Sequence, residues 1–345
     1  MEFRSFGQTG LSVSAMGFGS WPMAGSSYGG VDQTSAVVAV RRALEVGVNC
    51  FDTAPAYGLG EAEQMLGRAL GKQRSEVILV SKCGITLPAG STEAIRDCSP
   101  AAINREVDLS LSRLGTDYLD VVLLHWPESA TSFEDSMLAL NDLVDSGKTR
   151  FVGVSNFTLD QIQRCMAARR VDVVQVGYHL FDRRMERDVL PYCAEQCIAV
   201  MGYGSLAHGL LSGAFSQSTT FEPDDWRSDG IIFGQPLFRG DNFRANVAVV
   251  SRLEADVAGP RGLPVAQVAL AWALHNRAIS TALVGARSAA EVDANKDAVS
   301  VVLSQAELRR IDEIMLGAAG RVAEFSPLES TMKQWGDEIP AQGVS

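Results

Sequence analysis

Short apolar runs alternate with longer stretches of helical period along most of the chain. The runs at 15–19, 49–52, 77–81, 119–124, 151–154, 173–176, 198–201 and 281–284 are nearly continuous in Val, Ile, Leu and Phe. Strands buried on both faces of a parallel sheet read this way. Between and after them, apolar positions recur with a period near that of a helix at 34–46, 99–114, 132–146, 158–168, 184–196, 264–276, 288–297 and 304–315. Thr34 offers a hydroxyl cap, Ser99-Pro100 pairs a cap with proline at the first helical position, and Gly47 and Gly147 stand where two helices stop. Residues 2–5 and 11–14 flank the turn Gln8-Thr9-Gly10 and predict an N-terminal β-hairpin.

Eight strands alternating with helices, without a break in composition, predict one α/β domain over 1–345, a (β/α)8 TIM barrel. The rival is a doubly wound open sheet, which needs a GxGxxG turn after its first strand. The first strand here ends Gly17-Phe18-Gly19-Ser20-Trp21-Pro22, without the third glycine and with proline where a helix would start. Two stretches break the rhythm. Residues 204–241, after the seventh strand, are rich in Gly and Phe and predict a long lid-like loop. Residues 318–345 form a weakly patterned tail with Phe325, Met332 and Trp335, read either as packing on the barrel wall or as one wall of a pocket.

Polar or glycine residues stand at or just after most predicted strand ends: Asp52, Lys82, His125, Ser155-Asn156, Gln175, Tyr203 and Gly285 to Arg287. In a barrel those ends share one face, and that face carries chemistry. Each residue alone has a packing explanation; the shared position does not. Tyr57 follows Asp52 across a loop stiffened by Pro55. A tyrosine is a weak acid, with an ordinary pKa near ~10. A neighbouring lysine favours the phenolate, and a carboxylate such as Asp52 keeps a buried lysine charged. A neutral His125 would orient a substrate oxygen. The set suits proton delivery to a carbonyl oxygen while a nicotinamide supplies hydride.

The net charge of −11 excludes nucleic acid and anionic membrane as main partners and leaves a small molecule. The 6 cysteines are scattered, and the 4 histidines lack metal-ligand spacing, so no metal is expected. The opening MEFRSFGQTG has no apolar leader core, and no apolar run reaches bilayer length, so a cytoplasmic protein is expected. Gly25-Ser26-Ser27-Tyr28-Gly29 matches the G-x-S-x-G elbow by letter, but no strand leads directly into it; a binding loop over 23–30 is the better reading.

At these residues the sequence resembles the aldo-keto reductase family over nearly its whole length. The run from Gly47 through Asp52-Thr53-Ala54 to Tyr57-Gly58, then Val80-Ser81-Lys82 and Asp120 through His125-Trp126-Pro127, match that family's motifs in order. The resemblance implies a catalytic tetrad of Asp52, Tyr57, Lys82 and His125. It implies cofactor contacts from Gly19, Ser20, Trp21 and Asp52, from Ser155, Asn156 and Gln175 around the carboxamide, and from Tyr203, Gly204, Ser205 and Leu206 beside the nicotinamide. Gly204 and Ser205 replace the residues usual in that turn. Gly285, Arg287, Glu291 and Asn295 resemble the adenosine-phosphate clamp. NADPH is the expected cofactor, with NADH open because Glu291 is acidic. Trp21, Met23, Tyr28, Tyr57, His125, Trp126, Phe157, Trp226 and Phe233 are expected around the substrate.

Three functions follow: a reductase of aldehydes or ketones, an alcohol or sugar dehydrogenase using the same residues in reverse, and a cofactor-binding regulator like the β-subunits of potassium channels. The short stretch before the first hairpin weighs against the regulator.

Overall fold

The structure is a computed structural model and describes residues 1–24, 28, 32–86 and 94–323. The chain opens with the antiparallel hairpin β1 (Phe3–Ser5) and β2 (Ser12–Ser14). Then come β3 (Met16–Gly19), β4 (Cys50–Asp52), β5 (Ile78–Cys83), a small antiparallel pair β6 (Ile85–Thr86) and β7 (Ile95–Arg96), and β8 (Leu119–Leu124). The last four are β9 (Thr149–Ser155), β10 (Val173–Gly177), β11 (Ala199–Tyr203) and β12 (Thr281–Gly285). The strands β3, β4, β5, β8, β9, β10, β11 and β12 form a closed parallel barrel. Closure is made by β12 on β3, with Gly285 opposite Gly19.

Cys50, Ile78, Val80, Val121, Leu123, Val173, Ala199, Met201 and Leu283 form one buried cluster, and Phe6 from the N-terminal hairpin joins it. Gly7 makes this possible. Its φ is +58°, and a Cβ there would sit 2.6 Å from the Ala199 nitrogen. The hairpin thus packs where β11 begins, and the barrel opens at the strands' C-terminal ends.

The surrounding helices are α1 (Gln33–Glu45), α2 (Glu61–Leu70), α3 (Pro100–Leu114), α4 (Phe133–Asp145), α5 (Leu159–Ala168), α6 (Val189–Glu195), α7 (Gly240–Leu253), α8 (Val265–His275), α9 (Ala289–Asn295) and α10 (Gln305–Met315). Ser99, Ser132, Thr158, Ser288 and Ser304 each accept a backbone N–H at the start of their helix. The cap of α1 is Asp32 rather than Thr34, because the Asp32 carboxylate accepts from the Ser35 nitrogen at 2.9 Å. Two helices were not expected. Helix α2 follows glycines, which mask its Ala62, Met65, Leu66, Ala69, Leu70 stripe. Helix α7 follows the Gly- and Phe-rich loop. The stretch expected as one helix at 184–196 divides into a 3-10 turn (Arg184–Glu186) and α6.

Among the described residues no helix is long and apolar enough to cross a membrane. The tail from residue 324 and the loop at 25–27 and 29–31 lie outside the described residues, and with them Phe325, Met332, Trp335 and most of the G-x-S-x-G run.

Candidate active site

Asp52 ends β4, and Lys82 sits near the end of β5 beside it. Lys82 is fully buried and donates to both Asp52 oxygens, at 2.9 and 2.8 Å, and to the Thr53 carbonyl at 2.9 Å. Its fourth partner is the Tyr57 hydroxyl oxygen at 3.1 Å. Burial drives the Asp52 carboxyl up and the Lys82 ammonium down from their ordinary pKa values, and the charge of each opposes the shift of the other. Gln175, on β10, donates to Asp52 Oδ1 at 2.7 Å and supports its ionised form.

Tyr57 begins a 3-10 turn in which Gly58 and Leu59 take left-handed conformations. At Gly58 a Cβ would meet the Ala24 Cβ at 2.6 Å, so the turn that aims Tyr57 inward needs glycine there. His125 follows β8 and is anchored by its backbone N–H to the Cys83 carbonyl at 2.8 Å. Its ring stands edge-on to Tyr57, centroids 5.8 Å apart. Burial, with Lys82 nearby, holds the imidazole well below the usual histidine pKa, so it is neutral near pH 7.

A cavity of about 470 Å³ runs from Tyr57, His125 and Trp126 to Gly285, Arg287, Glu291 and Asn295. Between these ends its wall includes Gly19, Trp21, Ser155, Asn156, Gln175 and the turn from Tyr203 to Leu206. The Tyr203 hydroxyl donates to Asn156 Oδ1 at 2.7 Å, and Asn156 Nδ2 donates to the His125 carbonyl at 3.0 Å. The Ser205 hydroxyl turns to the Gly202 carbonyl. Ser20 is buried behind the wall, its N–H bonded to the Asp52 carbonyl. At the far end Glu291 accepts from the Arg287 N–H at 2.8 Å and from its guanidinium at 3.3 Å, and Arg287 also reaches the Tyr28 carbonyl at 3.1 Å.

The aromatic residues divide. Trp21 stacks on Tyr57 with centroids 5.9 Å apart, and Tyr28, Trp226 and Phe233 surround Trp21. Met23, Phe157 and Trp226, expected at the substrate, are not part of the cavity wall; Trp226 packs against Trp21, centroids 4.6 Å apart. The left-handed Asn156, φ +65°, turns the chain so that Phe157 packs on Phe133 of α4. Met23 ends the 3-10 turn that begins at Trp21 and is buried in the core. The sequence reading missed His208, Phe215 and Arg227, all on the long loop and all in the wall. The one signal for His208 was the unusual glycine at 204. Cys83, beside Lys82, is buried, and its thiol is raised well above the ordinary range, so it is not a reactive thiolate.

The sequence model of the Aldo/keto reductase family matches residues 15–316. The chain belongs to this family. It is 34% identical over 317 residues to aldo-keto reductase YhdN of Bacillus subtilis (strain 168), covering 91% of this chain and 94% of that protein. It is 30% identical over 324 residues to an NADH-specific methylglyoxal reductase of Escherichia coli (strain K12), covering 89% and 96%. Among solved structures, the glycerol dehydrogenase AKR11B4 from Gluconobacter oxydans matches with a TM-score of 0.82 at 32% identity, over 95% of this chain and 98% of that one.

Proposed function

We propose that this aldo/keto reductase reduces an aldehyde or ketone to an alcohol with NAD(P)H, and that Tyr57 delivers the proton. The observation that carries the reading is the Lys82–Tyr57 contact, made inside a buried set whose Tyr57 and His125 face one cavity. A nicotinamide dinucleotide fits this chain's residues: the cavity joins the tetrad to the Arg287 clamp, with side-chain amides along the way and glycine at 19 and 285. When bound, that cofactor supplies hydride.

The chain's own residues handle the proton. A neutral imidazole is a poor acid but a good N–H donor, which assigns His125 to orienting the carbonyl oxygen and Tyr57 to giving up its proton. Lys82 donates to the phenol oxygen and stabilises the phenolate left behind, and Asp52 balances the lysine. The same phenolate is the base for oxidation, and the likeness to a glycerol dehydrogenase makes that direction worth measuring.

Arg287 is the group that would pair with a 2′-phosphate, which favours NADPH. Glu291 already holds it, so NADH is also accepted. We place the activity in the cytoplasm, whose reducing conditions suit six free cysteines. The test is NADPH and NADH oxidation against aldehydes, ketones and sugars, with the alcohols run in reverse. Carbonyl-dependent oxidation supports the reading; none with either cofactor overturns it.

A further inference from the structure

His208 is a second buried imidazole in the same cavity, and the tetrad does not use it. It lies within three consecutive left-handed residues, Ala207 at φ +47°, His208 at +57° and Gly209 at +98°. A residue with a Cβ rarely adopts this conformation unless its surroundings hold it there. The surroundings do: the Trp226 ring meets the imidazole edge-on at 5.0 Å, and Phe233 lies 5.5 Å away. Behind it stands the His179 ring at 5.7 Å.

Gly204 accounts for the space. A Cβ on Gly204 would lie 3.0 Å from His208 Cε1 and 3.1 Å from Nε2, tighter than side chains normally pack. Gly204 itself sits at φ +64°, which favours glycine, and the missing side chain leaves room for the histidine. Nδ1 of His208 is 3.5 Å from the Tyr28 hydroxyl, a contact at the long limit of a hydrogen bond. Trp21 links this corner to the reacting end: its ring has Tyr57 at 5.9 Å and His208 at 6.4 Å.

We propose that His208, given room by Gly204, is the specificity-determining residue of this site, hydrogen-bonding a hydroxyl group of a substrate whose carbonyl lies at Tyr57 and His125. The inference rests on the reductase reading above. Burial keeps His208 neutral, so with Nδ1 facing the Tyr28 hydroxyl its ring offers a substrate a hydrogen bond without a positive charge, which suits a hydroxyl better than a carboxylate. Arg227, the cation in the same stretch of wall, is held by Asp225 at 2.8 and 2.5 Å and reaches the His208 carbonyl at 3.2 Å, so its charge is already paired. A hydroxylated aldehyde or ketone lying along Trp21 would meet both ends of the pocket.

The experiment compares kcat/KM for glyceraldehyde with propanal, and for erythrose with butanal, in the wild-type protein and in His208→Ala, His208→Asn and Gly204→Ser. Succinic semialdehyde is the carboxylated control, and cofactor Kd is measured for each variant. The wild type is expected to prefer the hydroxylated member of each pair. His208→Ala should cut that preference by about tenfold or more, the size of a lost hydrogen bond in a buried site. Asparagine tolerates the left-handed backbone and keeps a donor and an acceptor, so His208→Asn should retain most of the preference. Gly204→Ser should lower it, by crowding the ring and by straining the left-handed backbone at φ +64°. An unchanged ratio in an active His208→Ala protein overturns the inference alone. So does a preference for the carboxylated aldehyde, or a loss confined to cofactor Kd. A wild-type protein that turns over no carbonyl compound with either cofactor fails the reductase reading, and this inference with it.

Discussion

The proposed chemistry of this site rests on a buried charge pair. Lys82 is held by two carboxylate oxygens, a carbonyl and the Tyr57 oxygen, so removing Asp52 leaves an ammonium buried and uncompensated. Breaking one side of such a pair costs ~3–5 kcal/mol. Asp52→Ala should lose that much stability in urea unfolding; a loss below ~1 kcal/mol would mean that Lys82 is not held as a charged partner. At the other end of the cavity Arg287 and Glu291 are half-exposed, and their pairing is weak. Arg287→Ala should therefore weaken NADPH more than NADH, while Glu291→Gln should widen the preference for NADPH. Equal losses of both cofactors in Arg287→Ala would show that the arginine only stacks on adenine. That Asp52, Tyr57, Lys82 and His125 meet was legible in the sequence, because strand ends converge in a barrel. The Gln175–Asp52 bond was not, since it joins residues 123 positions apart. His208 stayed hidden because periodicity says nothing inside an irregular loop.

Among the elements, β9 is closely hemmed in by its neighbours. It carries Ser155 at its end with Asn156 next, and Gly153 lies in its middle. A Cβ at Gly153 would fall 1.8 Å from the Val173 carbonyl of β10 and 2.9 Å from the Leu123 side chain. Gly153→Ala forces strands apart, and overpacking of this kind costs ~1–3 kcal/mol or more. A urea midpoint unchanged from wild type would contradict this crowding. The barrel strands were readable from the sequence because burial on both faces makes them continuously apolar. Helices α2 and α7 were not, because glycines and aromatics just ahead of them resemble loop. Their stripes, Met65–Leu66 to Leu70 and Phe243–Val247–Val250, appear only once the preceding glycines are assigned to turns rather than to the elements.

For the molecule as a whole, three buried imidazoles contribute to the response to acid. His125 and His208 are held well below the ordinary histidine value near ~6.5, and His179 is lowered to about 4, each chiefly by burial. Because the folded pKa is the lower one, the unfolded chain takes up protons first as the pH falls. The contribution of these three groups is therefore full above ~6.5 and declines below it, by up to ~1.4 kcal/mol per pH unit for each imidazole, while the Glu106 carboxyl, pushed up to about 7 chiefly by burial, works the other way and offsets one of them. Urea midpoints should fall between pH 7 and pH 5; a flat profile would show that these histidines titrate normally. The central claim is more direct, that Tyr57 is the proton donor of a hydride-transfer site. It is tested by Tyr57→Phe, with cofactor Kd and carbonyl-dependent turnover measured on the same preparation. Unchanged cofactor affinity with turnover reduced by ~10²–10⁴ is the predicted result, and turnover near the wild-type rate would contradict it.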